Sequence, residues 1–190
     1  MAKTSGGVRN SPKSKQTASK VLKIAETQIR NNNYESAIAV NDKGEIIFTK
    51  KGKRYEVSFS RSELRDMNNA VVTHNHPRSL GRKGIAAIGN SFSRNDVMLA
   101  VSANLKEIRA VTPTYTFSLK RPKGGWGASP EEIGKSYSKI NNAVRKMMTS
   151  YLDKRDWSDN ARTRADVTHY NIVMKKLSQK YGFEYSHKRG

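Results

Sequence analysis

Four residues, Ala70-Val71-Val72-Thr73, lead directly into His74-Asn75-His76 and stop at Pro77, and no other stretch constrains the fold as much. A short apolar, β-branched run predicts a buried strand, and proline cannot continue its ladder, so the strand ends there. Side chains two apart on a strand share a face, which puts His74 and His76 side by side at the strand end. Downstream, Ser93-Arg94-Asn95-Asp96 has the spacing of a capped helix start, with an acid three residues after the serine. Such a turn aims Asp96 back toward the histidines. Two imidazoles and a carboxylate then make a three-ligand set for one divalent metal. Zinc held by three protein ligands, with a position left for water, is the arrangement of catalytic sites.

Hydrophobic periodicity orders the rest of the chain. Residues 1–15, rich in Gly, Ser, Lys and Asn, read as a flexible basic arm. Val21, Leu22, Ala25 and Ile29 trace one stripe of a helix over residues 16–31. A hairpin follows, with strands at 35–40 and 45–49, and alternating Tyr55, Val57 and Phe59 predict a third strand at 54–59. Ser60 and Glu63 open a short helix ending near Asp66. Beyond the histidine strand come a helix at 94–103 and a final hairpin at 107–112 and 115–120. The fold class is therefore α/β: a mixed, mostly antiparallel sheet flanked by helices. Breakers around Pro122 and Gly124 set a linker at 123–127, which divides a metal-binding domain at 16–122 from a basic C-terminal helical extension at 128–190. Ser129-Pro130-Glu131-Glu132 is a strong helix start, and Gly182 ends a second helix, so the extension reads as a helical hairpin. His169, without a partner at ligand spacing, reads as a surface or packing residue.

Composition narrows the function. The chain has no cysteine, which removes disulfides and thiolate metal sites. No apolar run approaches the length of a membrane span or a signal-peptide core, so neither membrane insertion nor signal-peptide secretion is expected. Thirty-six basic residues against sixteen acidic ones give a net charge of +20, spread along the whole chain. Such a field attracts polyanions and predicts non-specific, electrostatic binding to nucleic acid. No recognition helix or zinc-finger pattern supports sequence-specific readout.

The ordered set of an upstream Glu35, His74-Asn75-His76-Pro77 and Ser93-Arg94-Asn95-Asp96 resembles the JAB/JAMM (MPN) metalloprotease family. Within it, the likeness is to the branch bearing His-Asn-His-Pro in RadC-like and phage head-morphogenesis proteins. It extends over about residues 29–122 and includes Tyr34-Glu35-Ser36-Ala37, Asp42-Lys43-Gly44 and Ile108-Arg109-Ala110-Val111. The resemblance implies a JAMM-like sandwich with zinc on His74, His76 and Asp96. It also implies Glu35 as general acid/base and Ser93 as the serine beside the oxyanion. Without it, Glu35 would read as a surface carboxylate on an edge strand. The stretch between His76 and Ser93 is longer than the family's usual spacing, and its Gly-rich, basic segment, residues 78–90, is expected to form a loop over the site.

Two functional classes are expected. One is a phage-type zinc metallopeptidase or isopeptidase that hydrolyses an amide bond, in head proteins or in a conjugated protein substrate, with strong affinity for nucleic acid. The alternative is a virion-associated, DNA-binding minor head protein that uses the fold as a scaffold and is ejected with the genome. The complete Glu, His, His, Ser, Asp set favours the first, and the charge favours the second. An HNH nuclease is disfavoured because His74-Asn75-His76 is not a ββα-metal arrangement. Either class implies the virion or the host cytoplasm as location.

Overall fold

The computed structural model describes residues 12–190, with side chains from Thr17 onward. Residues 1–11, most of the predicted basic arm, lie outside the described residues. The chain is α/β, with a six-stranded mixed sheet and five α-helices among the described residues. The strands are β1 (Ser36–Val40), β2 (Ile46–Lys51), β3 (Val71–Asn75), β4 (Glu107–Val111), β5 (Tyr115–Lys120) and β6 (Glu184–Arg189). The helices are α1 (Pro12–Ile29), α2 (Arg61–Asp66), α3 (Arg94–Ser102), α4 (Pro130–Asp153) and α5 (Asp159–Tyr181). Helix α1 starts ahead of the predicted residue 16, since Pro12 is compatible with a first helical turn.

Strand order is β2-β1-β3-β4-β5-β6, antiparallel except for the central pair β3 and β4. A parallel pair needs a crossover, and α3 supplies it. A crossover helix runs back along the sheet, so its N-terminus lies beyond the C-terminal end of β3, where His76 sits. Topology alone thus brings Asp96 to the histidines. Register adds room for the imidazole, since His74 pairs with Ala37 on β1 and with Ala110 on β4.

Alternation along the strands sends two sets of apolar side chains to opposite faces. Ile38, Val40 and Val111 pack with Leu22, Ala25 and Ile29 of α1. Val72, Ile108, Phe117 and Leu119 pack with Val97 of α3, with Ile133 and Val144 of α4, and with Val173 and Leu177 of α5. Each fully buried side chain of this size contributes about 1.5–3 kcal/mol of transfer free energy. Residues on both sides of the predicted linker therefore share one main core. Trp126, inside that segment, is buried, donates its indole N–H to the Leu105 carbonyl at 3.1 Å and packs edge-on against Phe183.

Residues 54–59 do not form the expected third strand. The chain bends at Arg54 and Tyr55, Lys53 N donates to Glu56 O at 2.7 Å, and the returning backbone passes so close to Gly52 that an added Cβ there would stand 2.3 Å from the Glu56 carbonyl oxygen. A strand that was not expected, β6, closes the other edge against β5. The Gly-rich segment after Pro77 forms two short 3₁₀ turns, Pro77–Ser79 and Gly84–Ile88. Thr112 Oγ1 donates to Ile88 O at 2.8 Å, and Thr114 Oγ1 donates to Ala87 O at 2.6 Å, fastening its end to the β4–β5 turn. Gly89 is what lets it close. Its φ is +71°, and a Cβ would meet Ser79 Oγ at 2.7 Å and Thr112 Cγ2 at 2.8 Å. Gly89→Ala is expected to destabilise the fold by about 1–3 kcal/mol, measured by urea unfolding. A stability equal to wild type would mean that the segment repacks freely.

Candidate metal centre

The capping box at the start of α3 fixes the carboxylate. Ser93 Oγ accepts from Asp96 N at 3.3 Å, and Ser93 N donates to Asp96 Oδ2 at 2.6 Å. That leaves the same carboxylate facing the imidazoles, with Oδ1 at 3.3 Å from His74 Nε2 and Oδ2 at 3.7 Å from His76 Nε2. The two Nε2 atoms are 2.9 Å apart. His74, His76 and Asp96 thus form a group that could hold a metal ion, with ligand atoms all within 4.8 Å of one another. Ligands about 2.0–2.1 Å from a tetrahedral zinc stand roughly 3.3 Å apart, close to the separations seen here.

The orientation of His76 fits the same purpose. Its Nδ1 lies 2.9 Å from the Asn90 carbonyl, which can only accept, so in the neutral ring Nδ1 carries the proton and Nε2 the lone pair. Metal-binding histidines characteristically give their second N–H to a carbonyl or carboxylate. The segment after Pro77 therefore contributes an orienting group, Asn90, at its end. His74 is 3% exposed and forms the floor of the group.

Glu35 lies just before β1, fixed by backbone bonds from Glu35 N to Lys53 O and from Gly52 N to Glu35 O. It lines one cavity of about 480 Å³ together with His76, Ser93 and Asp96, roofed partly by Tyr55 and Phe59. The failed third strand thus becomes a wall of this cavity. Sequence reasoning missed the residue that holds Glu35 in place. Asn75, fully buried, accepts from Ser36 N at 2.6 Å and donates to the Asn32 and Tyr34 carbonyls at 3.1 and 3.0 Å. It sits between the histidines on the opposite face, and strand alternation was the signal that could have assigned it. Asn75→Ala should cost roughly 2–4 kcal/mol, because three partners lose a buried bond. It should also lower any activity by loosening Glu35 while metal content stays unchanged, which elemental analysis checks. Full activity in the variant would mean that Glu35 is held by its backbone bonds alone.

Tyrosines brace the other side. Tyr137 donates to the Phe92 carbonyl at 3.0 Å, and Tyr185 contacts Ser91 Oγ at 2.8 Å, which fixes the residues just before Ser93. Ser93 itself is exposed, and with its oxygen accepting from Asp96 N its O–H remains able to donate into the cavity.

The electrostatics follow from these contacts. Burial pushes the Asp96 carboxyl up, but His74 and His76 reverse this and hold it well below the usual carboxylate range. Burial opposes charge on His76, yet the bond and charge of Asp96 raise its pKa above the ordinary value. Burial raises Glu35, opposed by the two histidines and by Arg78. A carboxylate with raised proton affinity at the edge of a cavity suits proton transfer. Comparison of the chain with models of known families finds no match, and comparisons with curated proteins and with solved structures find none.

Proposed function

We propose that this chain is a zinc-dependent amide hydrolase of the JAB/JAMM type, a metallopeptidase or isopeptidase. In this reading its sheet and helices form a JAMM-like sandwich, with α4 and α5 as a helical hairpin. The observation that carries it is the convergence of Glu35 and Ser93 on the cavity that His76 and Asp96 line, above a three-ligand group of metal-binding dimensions. His74, His76 and Asp96 hold the ion. Bound zinc supplies a Lewis acid that polarises the scissile carbonyl and lowers the pKa of water toward neutrality. The Glu35 carboxylate takes the proton of the attacking water and returns it to the leaving amine. The Ser93 hydroxyl donates to the oxyanion, a contact whose loss costs about 3 kcal/mol in comparable sites. Full-length protein incubated with peptide and isopeptide-linked substrates should release amines, with loss of activity on chelation and recovery on added zinc. Hydrolysis that persists after complete metal removal contradicts the proposal.

Basic surface favours a second property, contact with nucleic acid in the virion or host cytoplasm. Lys135, Lys139, Arg145 and Lys146 are all exposed on α4. Sequence-tolerant binding to DNA is expected, falling about 10³-fold or more between 50 and 200 mM salt if six or more phosphates are contacted. Gel-shift titrations at several salt concentrations check it. Absent or salt-insensitive binding would assign the charge to acidic protein partners, such as head proteins.

A further inference from the structure

A second cleft, of about 380 Å³, adjoins the metal cavity and shares Arg78, Asn90 and Tyr170 with it. Its walls carry Arg78, Arg82 and Arg145 against one carboxylate, Asp166. None of the three guanidinium groups makes an ion pair among the described residues. Arg78 is instead held over the Tyr55 ring at 5.0 Å, at the junction of the two cavities. Ser79, another wall residue, is 2% exposed, and its hydroxyl is packed inward against Gly89, so the charge of the cleft comes from the guanidinium groups. His169 gives one ring nitrogen to Asn141 Oδ1 at 2.7 Å, and burial together with Arg145 holds it below its ordinary pKa, so it adds no fixed charge.

We propose that this cleft binds a carboxylate of the substrate, an acidic side chain flanking the scissile amide. The proposal rests on the amide-hydrolase reading and adds a substrate class to it: peptides with Asp or Glu within a few residues of the cleaved bond. Planar guanidinium groups match carboxylates through paired N–H donors. The shared wall lets one extended peptide occupy both cavities. A cleft of this size takes a side chain and cannot admit a duplex, and the Tyr55 ring near its junction already has the Arg54 and Arg78 guanidinium groups over it, at 5.2 and 5.0 Å. Acidic peptide is therefore favoured over nucleic acid.

The test reads binding alone, so it stands apart from whether hydrolysis occurs. A labelled pentapeptide with two glutamates is titrated against full-length protein by fluorescence anisotropy, beside the same peptide with glutamines. The glutamate peptide should bind about tenfold more tightly, a preference expected of charge-assisted hydrogen bonds. Arg82→Glu/Arg145→Glu should abolish the preference. Lys20→Glu/Lys23→Glu, which makes the same change in net charge on α1 across the sheet, should keep it. His74→Ala should also keep it, since the cleft holds no metal ligand. Equal losses in the arginine and lysine variants would reduce the effect to the general field and overturn the proposal. An oligothymidylate that outcompetes the glutamate peptide, and loses affinity only in the arginine variant, would assign the cleft to phosphate and overturn it as well.

Discussion

Glu35→Gln is expected to keep its full complement of metal while losing about 10²- to 10⁴-fold in the rate of amide hydrolysis. The substitution preserves shape, and the backbone bonds that place residue 35 against Lys53 and Gly52 do not involve its side chain. What changes is chemistry, since a carboxamide cannot take a proton from water at neutral pH. Glu35 is not one of the three candidate ligands, so the metal should stay. The loss should fall on kcat with little change in KM, because proton transfer belongs to the transition state. Rates near wild type, with metal retained, would assign the base elsewhere.

Replacing a ligand should do the reverse. His76→Ala is expected to remove about one equivalent of zinc per chain in elemental analysis, since two remaining ligands do not make a closed three-ligand site. Chelation should lower the Tm of wild type and leave that of the variant unmoved, because an ion bound only to the folded state stabilises it by mass action. Binding should also depend on pH with a defined sign. In the metal-free protein Asp96 raises His76 above its ordinary pKa, so the ion competes with a proton there. Affinity should be full above that pKa and weaken as pH falls through it. Equal zinc content in the two proteins, after adventitious metal is stripped, would remove the site.

The candidate ligand group was legible because each part obeys a local rule. Period-2 alternation set His74 and His76 on one face, and the capping spacing set Asp96 toward them. The central strands and four of the helices were likewise written in apolar periodicity and in start signals such as Ser129-Pro130. Where sequence failed, a non-local contact decided. Tyr55, Val57 and Phe59 alternate as a strand would, but the bend at Arg54 and Tyr55 makes them a wall of the metal cavity instead. Strand β6 is nearly all polar and mostly exposed, as befits a charged edge, and so carries no hydrophobic pattern to detect. Asn75 and Asn90 announce nothing by type, since what each does depends on partners far away in the chain.

The central claim is that His74, His76 and Asp96 hold one catalytic zinc. Diffraction from crystals of the native protein, collected on both sides of the zinc absorption edge, tests it most directly. The account predicts a single anomalous peak that appears only above the edge, about 2.0–2.1 Å from the Nε2 atoms of both histidines and from a carboxylate oxygen of Asp96. Crystals from zinc-supplemented protein that show no peak between these three side chains, or a peak held by other residues, would contradict it.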